Sequence, residues 1–119
     1  MKISNFLLII LIFVISKINF SFADTAKMTK GLEIFNETAA CAACHVLKAA
    51  GSEGNIGPDL DTVEGLNYDS VMDIVTHGLG VMPAFGEDEI LTKDEIDIVS
   101  LSLIHISEPT RRYAISYAV

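Results

Sequence analysis

Cys41-Ala42-Ala43-Cys44-His45 constrains this chain more than any other stretch of it. C-x-x-C-H is the attachment signature of c-type haem. The spacing has a chemical reason. Two thiols add across the two vinyl groups of one porphyrin, and the adjacent imidazole then falls beneath the ring and ligates the iron. The chain has two cysteines and both lie in this motif, so none is left for a disulfide or a second metal site. A structural zinc site needs four ligands, usually in two knuckles, and no second C-x-x-C or H-x-x-x-H completes one here. A thioredoxin-like dithiol needs a βαβ context, and no strand pattern surrounds the motif. A chemically idle pair would not require the following histidine. The motif reads as a covalent haem c site, with Cys41 and Cys44 as attachment points and His45 as an axial ligand.

His45 needs a partner on the other face of the haem. The candidates are Met28, Met72, Met82, His77 and His105. Met28 is too near the attachment helix to cross the ring. Met72 lies within an amphipathic stretch with Val71, Ile74 and Val75, where a methionine is more often core filler than ligand. His77 ends that helix, with Gly78 as its C-terminal breaker. Met82 sits in Gly78-Leu79-Gly80-Val81-Met82-Pro83-Ala84-Phe85-Gly86, a glycine-rich loop with a proline fixing the backbone after the methionine. Such a loop can carry a thioether across an apolar crevice and hold it, so Met82 is the expected sixth ligand.

Gly31-x-x-x-Phe35, Cys41–His45, Gly57-Pro58-Asp59-Leu60 and Met82-Pro83-Ala84-Phe85, in this order, resemble a small class I cytochrome c. The likeness is greatest to the soluble carriers of the cytochrome c6 and c-555 kind and covers about residues 25–100. It implies an all-α fold of three to four helices wrapped around the haem. It also implies that the carbonyl of Pro58 accepts the N–H of the His45 imidazole and so orients the ligand. Gly31 and Phe35 match the positions that pack where the family's first and last helices cross.

The residue pattern agrees with such a fold. Asp24 or Thr25 caps a first helix running to about Thr38, with Met28, Leu32 and Phe35 on one face. Residues 48–61, with three glycines and a proline, read as a loop. Asn67 or Asp69 starts a second helix ending near His77. Thr92-Lys93-Asp94-Glu95 is a capping box that opens a last helix, with Ile96, Ile98 and Val99 on its buried side.

Residues 1–23 read as a secretory signal peptide. Lys2 is a positive n-region, Phe6–Ile15 an apolar h-region, and Ser21-Phe22-Ala23 a small-residue cleavage site. The apolar run is shorter than the roughly 20 residues of a spanning helix. No stable membrane insertion is expected after cleavage. Export to the periplasm, or to the lumen of a related compartment, fits the place where c-type haem is attached. Residues 24–100 form the expected cytochrome domain. Leu101–Val119 does not read as cytochrome. Leu101–Arg111 and Ile115–Val119 resemble consecutive fixed parts of a translated sequencing-library adapter, with three residues between them matching an index. On this reading the last helix is truncated after Ser100, the aromatic partner of Gly31 and Phe35 is missing, and His105 carries no function. Leu101, Leu103, Ile104 and Ile106 are nevertheless apolar and able to extend a helix.

Residues 24–100 hold four lysines, no arginine and fifteen acidic residues, a net charge of −11 before any propionate is counted. That sign excludes nucleic acid as a partner. It suits solubility or steering toward a redox partner with a basic docking patch. With His45 and Met82 filling both axial positions no open substrate site remains. The expected function is a monomeric one-electron carrier rather than an enzyme, with Val81, Pro83, Ala84 and Phe85 ringing the haem edge where partners dock. The alternative is a dedicated cytochrome subunit of a larger dehydrogenase or oxidase complex.

Overall fold

A computed structural model describes residues 24–116, with side chains through Ser107. The expected signal peptide, residues 1–23, lies outside the described residues. Helix α1 covers residues 24–33 and widens into a π-helical turn over Ile34–Thr38. A short 3-10 turn, Cys41–Ala43, leads into strand β1 (Val46–Leu47), a second 3-10 turn (Lys48–Ala50) and strand β2 (Ser52–Glu53). Helix α2 spans Tyr68–His77 and helix α3 spans Lys93–Ser116.

The expectation of an all-α fold is corrected by β1 and β2. They pair antiparallel, Val46 opposite Glu53 and Leu47 opposite Ser52. Gly51, at φ +66°, closes the reversal between them. Two-residue strands are too short for an alternating pattern to register in sequence. For the same reason residues 48–61 are not the plain loop expected of them.

α1 buries Gly31, Ile34 and Phe35, while Met28 and Leu32 are only half-buried. The buried face therefore differs from the expected Met28, Leu32, Phe35 stripe. Gly31 is the crossing point with α3: a Cβ there would lie 2.2 Å from Ser102 Cβ and 3.2 Å from the Ile98 carbonyl. Beside the crossing, Leu32, Phe35, Leu47, Ser102 and Leu103 line a small apolar cleft.

Both later helices start where local chemistry tells them to. The Asn67 side chain accepts from the Ser70 N–H at 3.0 Å, and the Asn67 N–H donates to Ser70 Oγ at 3.3 Å. Thr92 and Glu95 form the expected reciprocal box, with Thr92 N–H to Glu95 Oε2 at 2.9 Å and Glu95 N–H to Thr92 Oγ1 at 3.3 Å. Tyr68 on α2 donates its hydroxyl to Asp97 on α3, which ties the two helices. α3 passes Ser100 without a break. Ile96, Val99 and Leu103 are buried in the core, while Ile98 is half-buried. Ser100, Ser102 and Ser107 are buried on the same helix. The core formed by Ile34, Phe35, Leu47, Leu60, Val71, Val75, Phe85, Leu91, Ile96 and Val99 joins all three helices to β1.

Candidate functional site

The C-x-x-C-H segment is positioned by two departures from regular helix. The Ala39 N–H donates to the Ile34 carbonyl at 2.9 Å, five residues back, which inserts one extra residue into the turn. Ala40 then adopts φ +51°, a left-handed conformation uncommon for a residue with a side chain. From there the Cys41 carbonyl gathers the N–H groups of Cys44 (3.0 Å) and His45 (2.9 Å), folding the three motif residues onto one turn.

Residues 54–58 wrap beneath that turn. The Cys44 carbonyl accepts from Ile56 N–H at 3.0 Å and Gly57 N–H at 2.8 Å. A Cβ on Gly54 would lie 2.6–2.8 Å from Cys44 backbone atoms and the Ala42 carbonyl. A Cβ on Gly57 would lie 2.5 Å from Cε1, 2.7 Å from Nδ1 and 2.9 Å from Nε2 of His45. The imidazole thus rests against bare backbone. His45 Nδ1 stands 2.8 Å from the Pro58 carbonyl. A carbonyl only accepts, so Nδ1 carries the proton and Nε2 keeps its lone pair for a metal.

Sequence reasoning missed Asp61, which is 1 % exposed. Its Oδ2 accepts from the Lys48 N–H at 2.9 Å, and its own N–H donates to Asp59 Oδ1 at 2.9 Å. It locks the β1–β2 pair to the segment after Pro58. The available signal was Asp-Leu-Asp, whose first aspartate accepts from the N–H two residues on, a turn that aspartate favours.

The Met82 loop closes on itself. Leu79 and Met82 exchange backbone hydrogen bonds at 3.2 and 3.0 Å across Gly80-Val81. At its far end the N–H groups of Gly86 and Glu87 donate to the Thr76 carbonyl at 3.2 and 3.1 Å. Met82, Cys41 and Ala42 are partly buried against the one apolar core. Met72 packs there too, from α2. His77 is exposed, with Nδ1 at 2.9 Å from the Asp73 carbonyl and 3.1 Å from Asp73 Oδ1. His105 is exposed on α3. Val81 (88 % exposed), Leu79 (68 %) and Pro83 face outward. Phe85, expected at the rim, is buried in the core instead, where its large apolar ring is removed from water; its carbonyl takes the N–H groups of Ile90 and Leu91.

The thiols of Cys41 and Cys44 are free and half-buried. Burial pushes the Cys41 thiol up to about 11, Cys44 adds to the rise and a backbone hydrogen bond opposes it. Cys41 is therefore an uncharged thiol at neutral pH, suited to an apolar crevice. Among the described residues no group of three or more His, Cys, Asp and Glu side chains could hold a metal ion by itself. The two thiols on one turn, the imidazole cradled on Gly57 and the apolar surround fit a covalently held haem.

Residues 26–100 match the family model described as cytochrome c oxidase, cbb3-type, subunit III. The crystal structure of the c-type cytochrome SorU from Sinorhizobium meliloti is 40 % identical, with a TM-score of 0.62 over 70 % of this chain and 93 % of that one. No curated protein matches the sequence. The chain carries covalent haem c, serves electron transfer and works with redox partners. No helix among the described residues is long and apolar enough to cross a membrane. With the family model spanning 26–100 and this likeness beside it, the chain belongs to the cbb3-type subunit III family of c-type cytochromes.

Proposed function

We propose that the chain is a small class I one-electron carrier whose haem is ligated by His45 Nε2 and by the Met82 thioether. The observation that carries this reading is a built imidazole cradle, Gly57 with Pro58, together with a closed methionine loop whose Met82 packs, as Cys41 of the attachment motif does, against the apolar core. The bound haem supplies a one-electron couple, and a methionine ligand raises its potential relative to a second histidine. Cys41 and Cys44 hold the group. Pro58 fixes the tautomer and direction of His45. Met82 would supply the other ligand to the iron, leaving no position open for substrate. Leu79, Val81 and Pro83 offer an apolar rim for transient docking.

Residues 24–100 are the proposed carrier domain, exported to the periplasm by residues 1–23 and working as a monomer. The segment from Leu101 is proposed to be adapter-derived rather than native. The acidic surface is proposed to steer toward a partner with a basic docking patch. With such a partner the second-order rate constant falls as salt rises, over a screening length of about 10 Å at 0.1 M. A flat profile would leave the charge a solubility feature. The ligand assignment is tested by the weak sulfur-to-iron absorption band of the oxidised protein. Met82→Ala abolishes it and Met72→Ala does not; the reverse result would transfer the role to Met72. A second reading, a dedicated subunit of a larger oxidase complex, is favoured by the description of the family itself. Co-purification with a stoichiometric enzyme partner, instead of a monomer on size exclusion, would select it.

A further inference from the structure

We propose that Gly78 is the positioning residue for the sixth ligand, resting on the reading of Met82 as that ligand. Gly78 ends α2, its N–H donating to the Ile74 carbonyl at 2.8 Å. Its backbone sits at φ +74°, ψ +170°, a region essentially reserved for glycine. A Cβ there would meet the Met82 carbonyl oxygen at 2.7 Å, Ala84 N at 2.9 Å and Pro83 C at 3.0 Å. All three are backbone atoms, so no side-chain rotation relieves the contact. The Met82 carbonyl is also the acceptor of the Leu79 N–H at 3.2 Å. Pushing it away opens the Leu79–Met82 pair that sets the direction of the thioether.

The displacement has one outlet. The helix side of Gly78 is pinned by Ile74, and the far end of the loop is pinned by two N–H groups on Thr76, two residues before Gly78. The apex carrying Met82 is what remains to move. The same loop contains its own control. Gly80 has φ +61° but no atom within 4 Å of a built Cβ. Gly80→Ala adds positive-φ strain in the same loop without the contact, and so controls for strain of that kind.

Gly78→Ala, Gly80→Ala, Met82→Ala and the Gly78→Ala/Met82→Ala double variant are prepared as holoproteins. The sulfur-to-iron band and the affinity of the oxidised protein for imidazole are measured for each. Overpacking of this size shifts the bound-to-free equilibrium of the thioether roughly 10- to 100-fold. Gly78→Ala should lose most of the band and bind imidazole tighter by about that factor. Gly80→Ala should behave as wild type, and the double variant should bind imidazole no tighter than Met82→Ala alone. If Met82→Ala keeps the band, the ligand reading itself falls and the proposal with it. If Met82→Ala loses the band and Gly78→Ala keeps it, only the present proposal is overturned. Additive effects in the double variant overturn it as well. So does a Gly78→Ala chain that yields no holoprotein while Met82→Ala does, because the glycine would then serve the fold and not the ligand.

Discussion

Gly57→Ala adds one methyl group, and that methyl would stand 2.5 Å from His45 Cε1, 2.7 Å from Nδ1 and 2.9 Å from Nε2. Something has to give. The Gly57 backbone is held by its N–H on the Cys44 carbonyl at 2.8 Å, with Ile56 donating to the same oxygen at 3.0 Å. The polypeptide holds the imidazole by one hydrogen bond to Pro58, at 2.8 Å, and in the holoprotein the proposed bond from Nε2 to the iron would restrain it on the other side. The ring therefore moves and the Pro58 bond is stretched or lost. Overpacking of a tight site costs about 1–3 kcal/mol, and a lost hydrogen bond about 0.5–1.5 kcal/mol. Together these predict a loss of roughly 2–4 kcal/mol. In a domain of this size each 1 kcal/mol lowers Tm by about 4–8 °C, so the holoprotein should melt at least about 8 °C lower. Guanidinium unfolding followed at the Soret band and by far-UV circular dichroism measures the loss. Gly65→Ala is the control: Gly65 has φ +73° and open space around its α-carbon, so it reports backbone strain alone, about 1 kcal/mol. A Gly57→Ala protein within about 0.5 kcal/mol of wild type would refute the cradle.

Acid–acetone extraction should leave haem on the polypeptide, and Cys41→Ser or Cys44→Ser should each reduce holoprotein yield sharply; haem in the organic phase would contradict covalent attachment. Ala40→Gly removes the left-handed penalty at φ +51° and should stabilise by about 0.5 kcal/mol after the entropy of glycine is charged against it, measured as a higher denaturation midpoint. The hydrogen bonds from Thr92 hold the Glu95 carboxyl below its usual range. Their stabilisation is present above the unfolded carboxylate value, near about pH 4.3, and is lost as pH falls through the lower folded value; Glu95→Gln should flatten that acid limb in midpoint-against-pH curves. Ser100 is buried with no hydrogen-bond partner for its hydroxyl among the described residues, so Ser100→Ala should raise stability by about 1 kcal/mol, and a loss would mean that the hydroxyl is satisfied.

What was legible in the sequence was chemistry that acts over a few residues. The spacing of C-x-x-C-H is set by the covalent reach of two thioethers, so the expectation placed on Cys41, Cys44 and His45 needs no fold. α2 and α3 could be placed because Asn67 and Thr92 satisfy orphan N–H groups within one turn, and Gly78 ends α2 by a local conformation. Features that depend on distant partners were not legible. The π-turn at Ile34–Thr38 and the left-handed Ala40 have no residue signature, since Ala40 is held there by its surroundings rather than by its own preference. Asp61 looks like a surface aspartate until the Lys48 N–H is found beside it. Phe85 reads as part of a rim until it is found in the core with Ile34, Val75 and Ile96, residues distant in sequence.

The glycines join the two kinds of feature. In sequence, Gly57 is half of a Gly-Pro pair and Gly78 a helix terminator. In space each has a second task, because the missing side chain lets another segment approach. At Gly57 the visitor is the His45 ring, and at Gly78 it is the Met82–Ala84 backbone. A substitution judged by the local task alone would call Gly57→Ala harmless, since nothing in its conformation demands glycine. The distance of 2.5 Å to Cε1 says otherwise. The same logic places Gly31 against α3, where an added Cβ would lie 2.2 Å from Ser102 Cβ and 3.2 Å from the Ile98 carbonyl, so that α1 and α3 cross closely beside the apolar cleft. Three pairs of segments thus meet at three glycines, one pair beside each proposed ligand and one at the helix crossing. The proposed site rests on where side chains are absent as much as on the four side chains proposed to hold the haem.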